Sequence, residues 1–504
     1  MTPLARTLIL IASLAIVAVS FAIGWWAKRR VRSAQAYFGA TALFGPFTTA
    51  LSSMAAVASA FALVGVPGLI YQTGQTISLW MLGSPAFALG YLILGKKVRA
   101  MAELGPVATL GDVSDLRFGR HRGIKLTLSL VLFLGCVSYL ASQVQAGAEL
   151  FGHLLGWSPV AAALAIFGVL TLYTMLSGEV GGLLTQAFQG LIMVVAGAIL
   201  TVAFFALTGG PGAVLEAIAT AGTVGAGAGA KSFGPRLLDA WGTLPGGVAL
   251  AWVVIPALGV IGQPQVISRM YALKDPRDLP RLSLYVTLAH MVVAFLVVTV
   301  GLAALWLVAS GRIPPLENPD RAIYAFADHL GAYAQVFVYA AVLAAAMSTS
   351  SLFLSLAGGI VSRDLPSALG LELPPERQVA VSRVAVVVLG AAAIAFALGS
   401  GELVAILGAF GFGTLMSATY PVFVIGLLWK GASRQGVFAG LLVALAYNVV
   451  SLVLDRQGFR YPGGVPWYLN VVAAACVVTI VVSLATRRSA RAELDPRVEA
   501  AIDL

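Results

Sequence analysis

Charge is what this chain has least of. Of its 504 residues only 10% are Asp, Glu, Lys or Arg, while 59% are hydrophobic; an ordinary soluble domain is about 25% charged. The charges that exist come in clusters, and none falls between Arg32 and Lys96. Cysteine is almost missing too. Cys136 and Cys476 sit far apart in apolar runs, which excludes a disulfide framework and a Cys-based metal site. No soluble catalytic domain stands beside the apolar segments, so nothing points to an enzyme. A β-barrel would show short alternating segments, and these are absent. The excess of ten positive charges does not indicate nucleic acid, because it lies in the connections between apolar runs.

What is present is a series of apolar runs long enough to cross a bilayer, whose core takes about 20 residues of helix. Thirteen can be drawn, at 8–26, 48–71, 77–94, 126–152, 160–176, 187–207, 248–266, 282–308, 334–361, 381–398, 403–428, 437–454 and 467–484. The fold class is therefore an all-α polytopic membrane protein embedded in the lipid bilayer. Basic clusters occupy alternate connections: Lys28–Arg32, Lys96–Arg99, Arg117–Gly123, Ser268–Arg281 and Arg487–Arg491. The positive-inside rule places them in the cytoplasm, so the N-terminus is expected outside and the tail 485–504 inside. The first run is read as a retained helix, since its positive cluster follows the apolar stretch. The connection 209–237 is expected to be a flexible outer loop with a short helix near 213–221. Its glycine string Gly225–Ala230 lacks the strand and Lys-Ser/Thr of a phosphate loop.

Two runs carry helix-weakening residues. The second contains Gly65-Val66-Pro67-Gly68 and the seventh contains Pro256 to Val266. Broken helices at membrane depth are tolerated only where buried or lining a cavity, and a pair about 200 residues apart points to a transporter of inverted repeats. The ninth run then places four hydroxyls in a row, Ser348 to Ser351. Positions i, i+3 and i+4 share a helix face, which aligns Ala345, Ser348 and Thr349. If the broken second run faces them, the carbonyls of Ala55 and Ala58 complete a cage of about five oxygens, suited to a hard cation. An uncharged cage favours a monovalent ion. The competing reading is that Ser and Thr simply bond back to the i−4 carbonyl. For a solute, Ser59, Tyr139, Ser142, Gln143 and Gln263 lie beside the broken helix, with helix–helix hydrogen bonding as their alternative role. Glu149, His153 and His290 are the few titratable groups in the runs, as proton coupling would need. No buried Arg or Lys is expected to hold a carboxylate.

Four segments resemble the sodium/solute symporter family, in its proline and pantothenate branch. They are "ATLGDVSDLRFG" (Ala108–Gly119), "GVIGQPQVISRMYALKD" (Gly259–Asp275), "AAAMSTSSLFLSLAGGIVSRDL" (Ala344–Leu365) and "GAFGFGTLMSATYPVFVIGLLWKGASRQGVFAG" (Gly408–Gly440). Their order and spacing carry the resemblance from about Tyr37 to Leu454. It implies a leucine-transporter-type core of five plus five inverted helices, one helix before it and two after. The single transporter domain would then divide into a first repeat over 48–207, a second repeat with its following helix over 248–454, and a last helix at 467–484. The resemblance also implies sodium-coupled import of a small organic solute such as an amino acid, a pantothenate-like compound or a monocarboxylate, with sodium as the coupling ion and no cofactor. Its sodium ligands match Ala55, Ala58, Ala345, Ser348 and Thr349, and the resemblance implies those two carbonyls, of Ala55 and Ala58, within the second run. Tyr139 matches a substrate-site tyrosine. This chain departs from the family at Val57 and Gln186, where acids occur, at Gln265 in place of a histidine, and at Pro256 and Val260 in place of an aromatic pair. These departures change the proline pocket and leave the cage intact. Proton-coupled or uncoupled transport, and a membrane sensor module of the same fold, remain the alternative readings.

Overall fold

The structure is a computed structural model. It describes residues 1–29, 37–38, 40–226, 229–459, 461, 464–487 and 494–504. Parts of three sequence features, Arg30–Arg32, Gly227–Ala228 and Arg488–Arg491, lie outside the described residues.

All thirteen apolar runs are helical. They are α1 (Pro3–Lys28), the bent pair α2 (Pro46–Val57) and α3 (Phe61–Thr73), α4 (Gln75–Leu104), α6 (Arg122–Leu155), α7 (Pro159–Met175), α8 (Gly178–Thr208), the broken pair α10 (Gly246–Val254) and α11 (Pro264–Ala272), α12 (Leu279–Ala309), α14 (Ala332–Ala368), α15 (Pro375–Ser400), α16 (Val404–Leu428), α17 (Arg434–Arg456) and α18 (Trp467–Ala485). Shorter helices fill the connections: α5 (Leu110–Phe118), α9 (Pro211–Thr220), α13 (Ala322–Asp328) and α19 (Pro496–Asp503). The short helix expected near 213–221 is α9, and a two-stranded hairpin of Thr223–Val224 and Lys231–Ser232 follows it.

Burial sorts the helices. The most apolar stretch of α14 is 89% buried and those of α12 and α16 are 78% buried, whereas α1 reaches only 22% and α17 and α18 33%. Apolar residues all round α14 follow from that central position. The peripheral helices present exposed Leu14, Val202, Val388 and Val481 to what must be lipid. Between α7 and α8 the chain kinks at Gly178, with φ 56° and ψ −169°, a backbone state open essentially only to glycine.

The first break differs from the expected one. The weak spot at Gly65–Gly68 becomes a wide-turn helix, Phe61–Gly65, ahead of Pro67, as expected where proline removes a ladder N–H. The chain itself breaks earlier, at Ala58–Ala60, where Ala58 has ψ 63° and the helix axis turns by 53°. The cause comes from another helix. Gln143 Oε1 on α6 accepts the Ala60 N–H at 3.0 Å, satisfying a donor that the α2 ladder no longer holds. The second break follows its sequence closely. A wide turn at Ile255–Gly259 and a tight one at Val260–Gly262 lead to an extended Gln263, and Pro264 then starts α11.

One face of the bundle gathers the basic connections, and here it is called the basic face. Three of the sequence motifs meet on it. Thr109 caps α5 in a reciprocal box with Asp112 and donates to Asp364 Oδ1 at 2.7 Å. Lys125 reaches Asp115 at 2.7 Å, Asp112 at 3.7 Å and Asp364 at 3.9 Å. Arg117 Nε donates to the Gly426 carbonyl at 2.7 Å near the end of α16. Burial lowers the Arg117 pKa to about 10, with Arg434 adding to the effect.

Candidate functional site

The break between α2 and α3 faces the hydroxyls of α14. Ser348 Oγ donates at 2.7 Å to the Ala55 carbonyl and lies 3.0 Å from the Ala345 carbonyl. Thr349 Oγ1 lies 3.4 Å from the Ala55 carbonyl and 3.3 Å from that of Ala56. Each hydroxyl has one hydrogen, so the oxygens crowd beyond what their own protons satisfy. Four of the five residues expected to form the cage therefore meet. Ala58 sits at the break itself, buried, with neither hydroxyl bonded to its carbonyl, and the Ala56 carbonyl is an addition the sequence did not suggest. Back-bonding is present as well. Ser348 reaches Ala345, and Ser351 Oγ donates to the Ser348 carbonyl at 2.9 Å. Ser350 Oγ is buried without a partner.

Gly190 on α8 lets that helix pack closely on α2 behind the break. A Cβ there would lie 2.5 Å from the backbone oxygen of Leu51 and 3.2 Å from the Ala55 side chain. No group of three or more His, Cys, Asp or Glu that could hold a metal ion occurs among the described residues, and the oxygens that meet around Ser348 and Thr349 are carbonyls and hydroxyls, all uncharged.

The solute candidates form a second layer beside the break. Ser59 Oγ and the Tyr139 hydroxyl are 3.2 Å apart. Gln143 Nε2 donates to Ser142 Oγ at 2.8 Å, and Ser142 Oγ donates to the Tyr139 carbonyl at 2.7 Å. Gln263 stands apart from these four. Its Nε2 donates to the Phe412 carbonyl at 3.1 Å and its Oε1 is buried without a partner. Aromatic rings wall the group, with Phe353 at 4.7 Å, Phe61 at 6.1 Å and Phe412 at 6.2 Å from the Tyr139 ring. Glycines on α16 let it press inward, since a Cβ on Gly411 would lie 2.6 Å from the Tyr139 backbone nitrogen.

Against expectation, a buried arginine does exist. Arg269 on α11 is 0% exposed. It reaches Glu179 at 2.6 Å and Ser52 Oγ at 3.0 Å, and it donates to Gln186 Oε1. Hydropathy misses it because α11 is polar and short, and burial comes from α2 and α8, far away in sequence. Its donors are committed to these groups, so it ties the break to the basic face. Gln186 Nε2 in turn donates to Ser351 at 3.1 Å, which completes a hydrogen-bonded chain from Ser348 to Glu179. A cavity of about 30 Å³ lies below, lined by Glu179, Ser268, Thr109 and Ser355.

The titratable groups have structural partners. His290 Nδ1 is 2.9 Å from Ser84 Oγ. Glu149 Oε1 accepts from Asn318 at 2.9 Å, and His153 lies 3.2 Å from Asp328.

Residues 37–444 match the model of the sodium:solute symporter family. Among curated proteins, the osmoregulated proline transporter OpuE of Bacillus subtilis is 27% identical over 93% of each chain. The high-affinity proline transporter PutP of the same organism is 25% identical over 94% of this chain and 97% of its own. Among solved structures, a Na+-coupled sialic acid symporter superposes with a TM-score of 0.72 at 15% identity, covering 94% of this chain and 97% of that one. A nucleobase-cation-symport-1 family transporter in a closed conformation gives 0.52 at 13% identity, covering 92% and 97%. These likenesses carry the leucine-transporter-type fold that the motifs imply.

Proposed function

The chain belongs to the sodium:solute symporter family and is a sodium-coupled symporter, and on that premise we propose where its ion and solute bind. The ion is held by the carbonyls of Ala55, Ala58 and Ala345 and the hydroxyls of Ser348 and Thr349. The observation that carries this is the convergence of Ser348 and Thr349 on the Ala55 carbonyl, at 2.7 and 3.4 Å, at a helix break. An uncharged oxygen set can replace the water of a monovalent ion, whereas a dication would call for carboxylates. The Ala58 carbonyl joins the set by a small rotation at the break, where its backbone is already non-helical.

The solute is a small zwitterion or carboxylate of the amino-acid class, held by Ser59, Tyr139, Gln143 and Gln263. Proline enters as a candidate from the names of the relatives, against the altered positions Gln265, Pro256 and Val260. The orphan Gln263 Oε1 offers an acceptor to an ammonium group, and Ser142 supports Gln143. Arg269 is saturated, so a solute carboxylate turns to N–H groups freed at the breaks. The basic face is cytoplasmic, with the N-terminus outside, in a bacterial inner membrane. The first repeat runs over 48–207, and the second repeat with its following helix over 248–454.

Coupling follows from shared geometry. Sodium draws the break toward α14, and Ser59 and Ala60, next in the chain, then meet Tyr139 and Gln143. The ion thereby favours the state that forms the solute pocket. One charge moving down about 100 mV releases about 2.3 kcal/mol, and a tenfold sodium gradient adds about 1.4 kcal/mol. Together they support roughly 500-fold accumulation of a neutral solute per ion.

A thermal-shift screen of amino acids, pantothenate and short carboxylates, each with and without sodium, tests the reading. The expected result is one class that stabilises the protein only when sodium is present. Stabilisation by a solute to the same extent in sodium and in choline would overturn it.

A further inference from the structure

On the face opposite the basic one, a carboxylate is buried without a counter-charge. Asp320 lies in the turn Pro319–Arg321 that leads into α13, and it is 1% exposed. Its Oδ2 accepts the Val404 N–H at 3.0 Å, at the start of α16. Its Oδ1 is buried with no partner. Two glycines bring the same three elements together. A Cβ on Gly68 of α3 would lie 2.7 Å from the Pro319 carbonyl oxygen, and one on Gly65 would lie 2.5 Å from the Ala405 nitrogen. Asp320 thus joins the turn to α16 across the half of the broken span that must move if this face is to open.

Among the described residues no cation pairs with it: Arg321 is turned to Glu149, the N-terminal amine lies 4.0 Å from Asp328, and Lys231 lies over the Tyr71 ring. From α6 come Glu149 and His153. Glu149 takes Asn318 and, at 3.5 Å, Arg321, and His153 pairs with Asp328 and stacks on Tyr324 with centroids 5.1 Å apart. From α13 come Tyr324 and Asp328, and from α14 Tyr339; both tyrosine hydroxyls are buried without partners. From α3 comes Tyr71, whose hydroxyl accepts the Leu316 N–H at 2.9 Å. The residue that precedes α16 and ionises is Glu402, another acid.

We propose that Asp320 is a proton-binding site of this gate, filled when the gate is closed and emptied when it opens. A buried carboxylate with one orphan oxygen, no cation and a second acid nearby is more stable with a proton. The protonated group keeps the Val404 bond through Oδ2 and loses the uncompensated charge. Opening exposes it to water, where it ionises as an ordinary aspartate. The direction agrees with the electrostatics: burial first, and then Glu149, push its pKa up to about 7. The closed state therefore binds the proton more tightly than the open one. Acid favours closure, over the interval from the ordinary aspartate value up to about 7. By linkage, the open-to-closed ratio falls about tenfold between pH 8 and pH 6.

The test needs neither sodium nor solute, so it stands or falls separately from the transport reading. Spin labels are placed at Ala325 on α13 and Leu398 on α15 in the full chain, with Cys136 and Cys476 replaced by serine, and the distance distribution is measured in detergent. The long-distance population should shrink about tenfold relative to the short one from pH 8 to pH 6. Asp320→Asn should hold the short distance at both pH values, which also reports that it folds. Glu149→Gln should move the midpoint to lower pH, a change that a merely structural role would not produce. His153→Asn should leave the response in place. A wild-type distribution that ignores pH, an Asp320→Asn protein that keeps the response, or its loss in His153→Asn would each overturn the proposal.

Discussion

The two faces of the bundle handle buried charge in opposite ways. On the basic face every buried charge described above has several partners. Arg269 holds Glu179, Ser52 and Gln186, Lys125 holds Asp115 with Asp112 and Asp364 nearby, and Arg117 is spent on backbone carbonyls. On the opposite face Asp320 has one backbone donor, and Lys231 rests on the Tyr71 ring at 4.4 Å. Burial lowers the Lys231 pKa to about 8. A redundant network survives the loss of one bond, whereas a single bond does not. The difference teaches that the faces are gated by unlike means: a polar lattice on one, and small-residue packing with a lone carboxylate on the other.

The comparison can be broken most severely at Arg269. Arg269→Met leaves the partly buried Glu179 without its ion-pair partner, and Ser52 and Gln186 without a buried donor. Removing one partner of such a pair costs about 3–5 kcal/mol, so the variant is expected to lose most of its monodisperse yield or to melt far below wild type. Next comes the ion site. Ser348→Ala with Thr349→Ala should raise the sodium needed for half-maximal uptake by about tenfold or more, roughly 1.4 kcal/mol, with yield near wild type. On the opposite face, Gly68→Ala should destabilise closure by about 1–3 kcal/mol through overpacking against Pro319. Its readout is a longer Ala325–Leu398 distance with the melting temperature little changed. The smallest effect belongs to Lys430, whose ion pairs with Glu499 and Asp503 tie α19 to the basic face at an exposed site. Lys430→Ala should leave the melting temperature unmoved at moderate salt, because exposed pairs are screened. A marked drop would mean that the tail is part of the basic-face lattice.

Much of the architecture is legible in the apolar runs, because thickness and hydropathy alone set the length of a span. The seventh-run break is legible for a similar reason: Pro256, Gly262 and Pro264 act locally. The break at Ala58 is displaced from its expected place because Gln143, in another helix, decides where α2 ends. The meeting of Ala55 with Ser348 and Thr349 follows from helix periodicity together with the family resemblance. Arg269 and Asp320 are not legible, since nothing in their neighbouring sequence reports burial. Asp320 follows a proline in a polar loop, which normally means solvent, and the groups that enclose it, Gly68 and Val404 among them, lie far along the chain. Gly65 and Gly68 do carry a signal: in sequence they look like helix weakeners, and their stronger role is to let backbones touch.

Equilibrium binding of radiolabelled sodium to the purified protein tests the central claim most directly, comparing wild type with Thr349→Ala. The account predicts saturable binding to the wild-type protein, unaffected by potassium, that is lost or weakened about tenfold or more in the variant while the protein stays folded. Equal sodium binding by both proteins would contradict it.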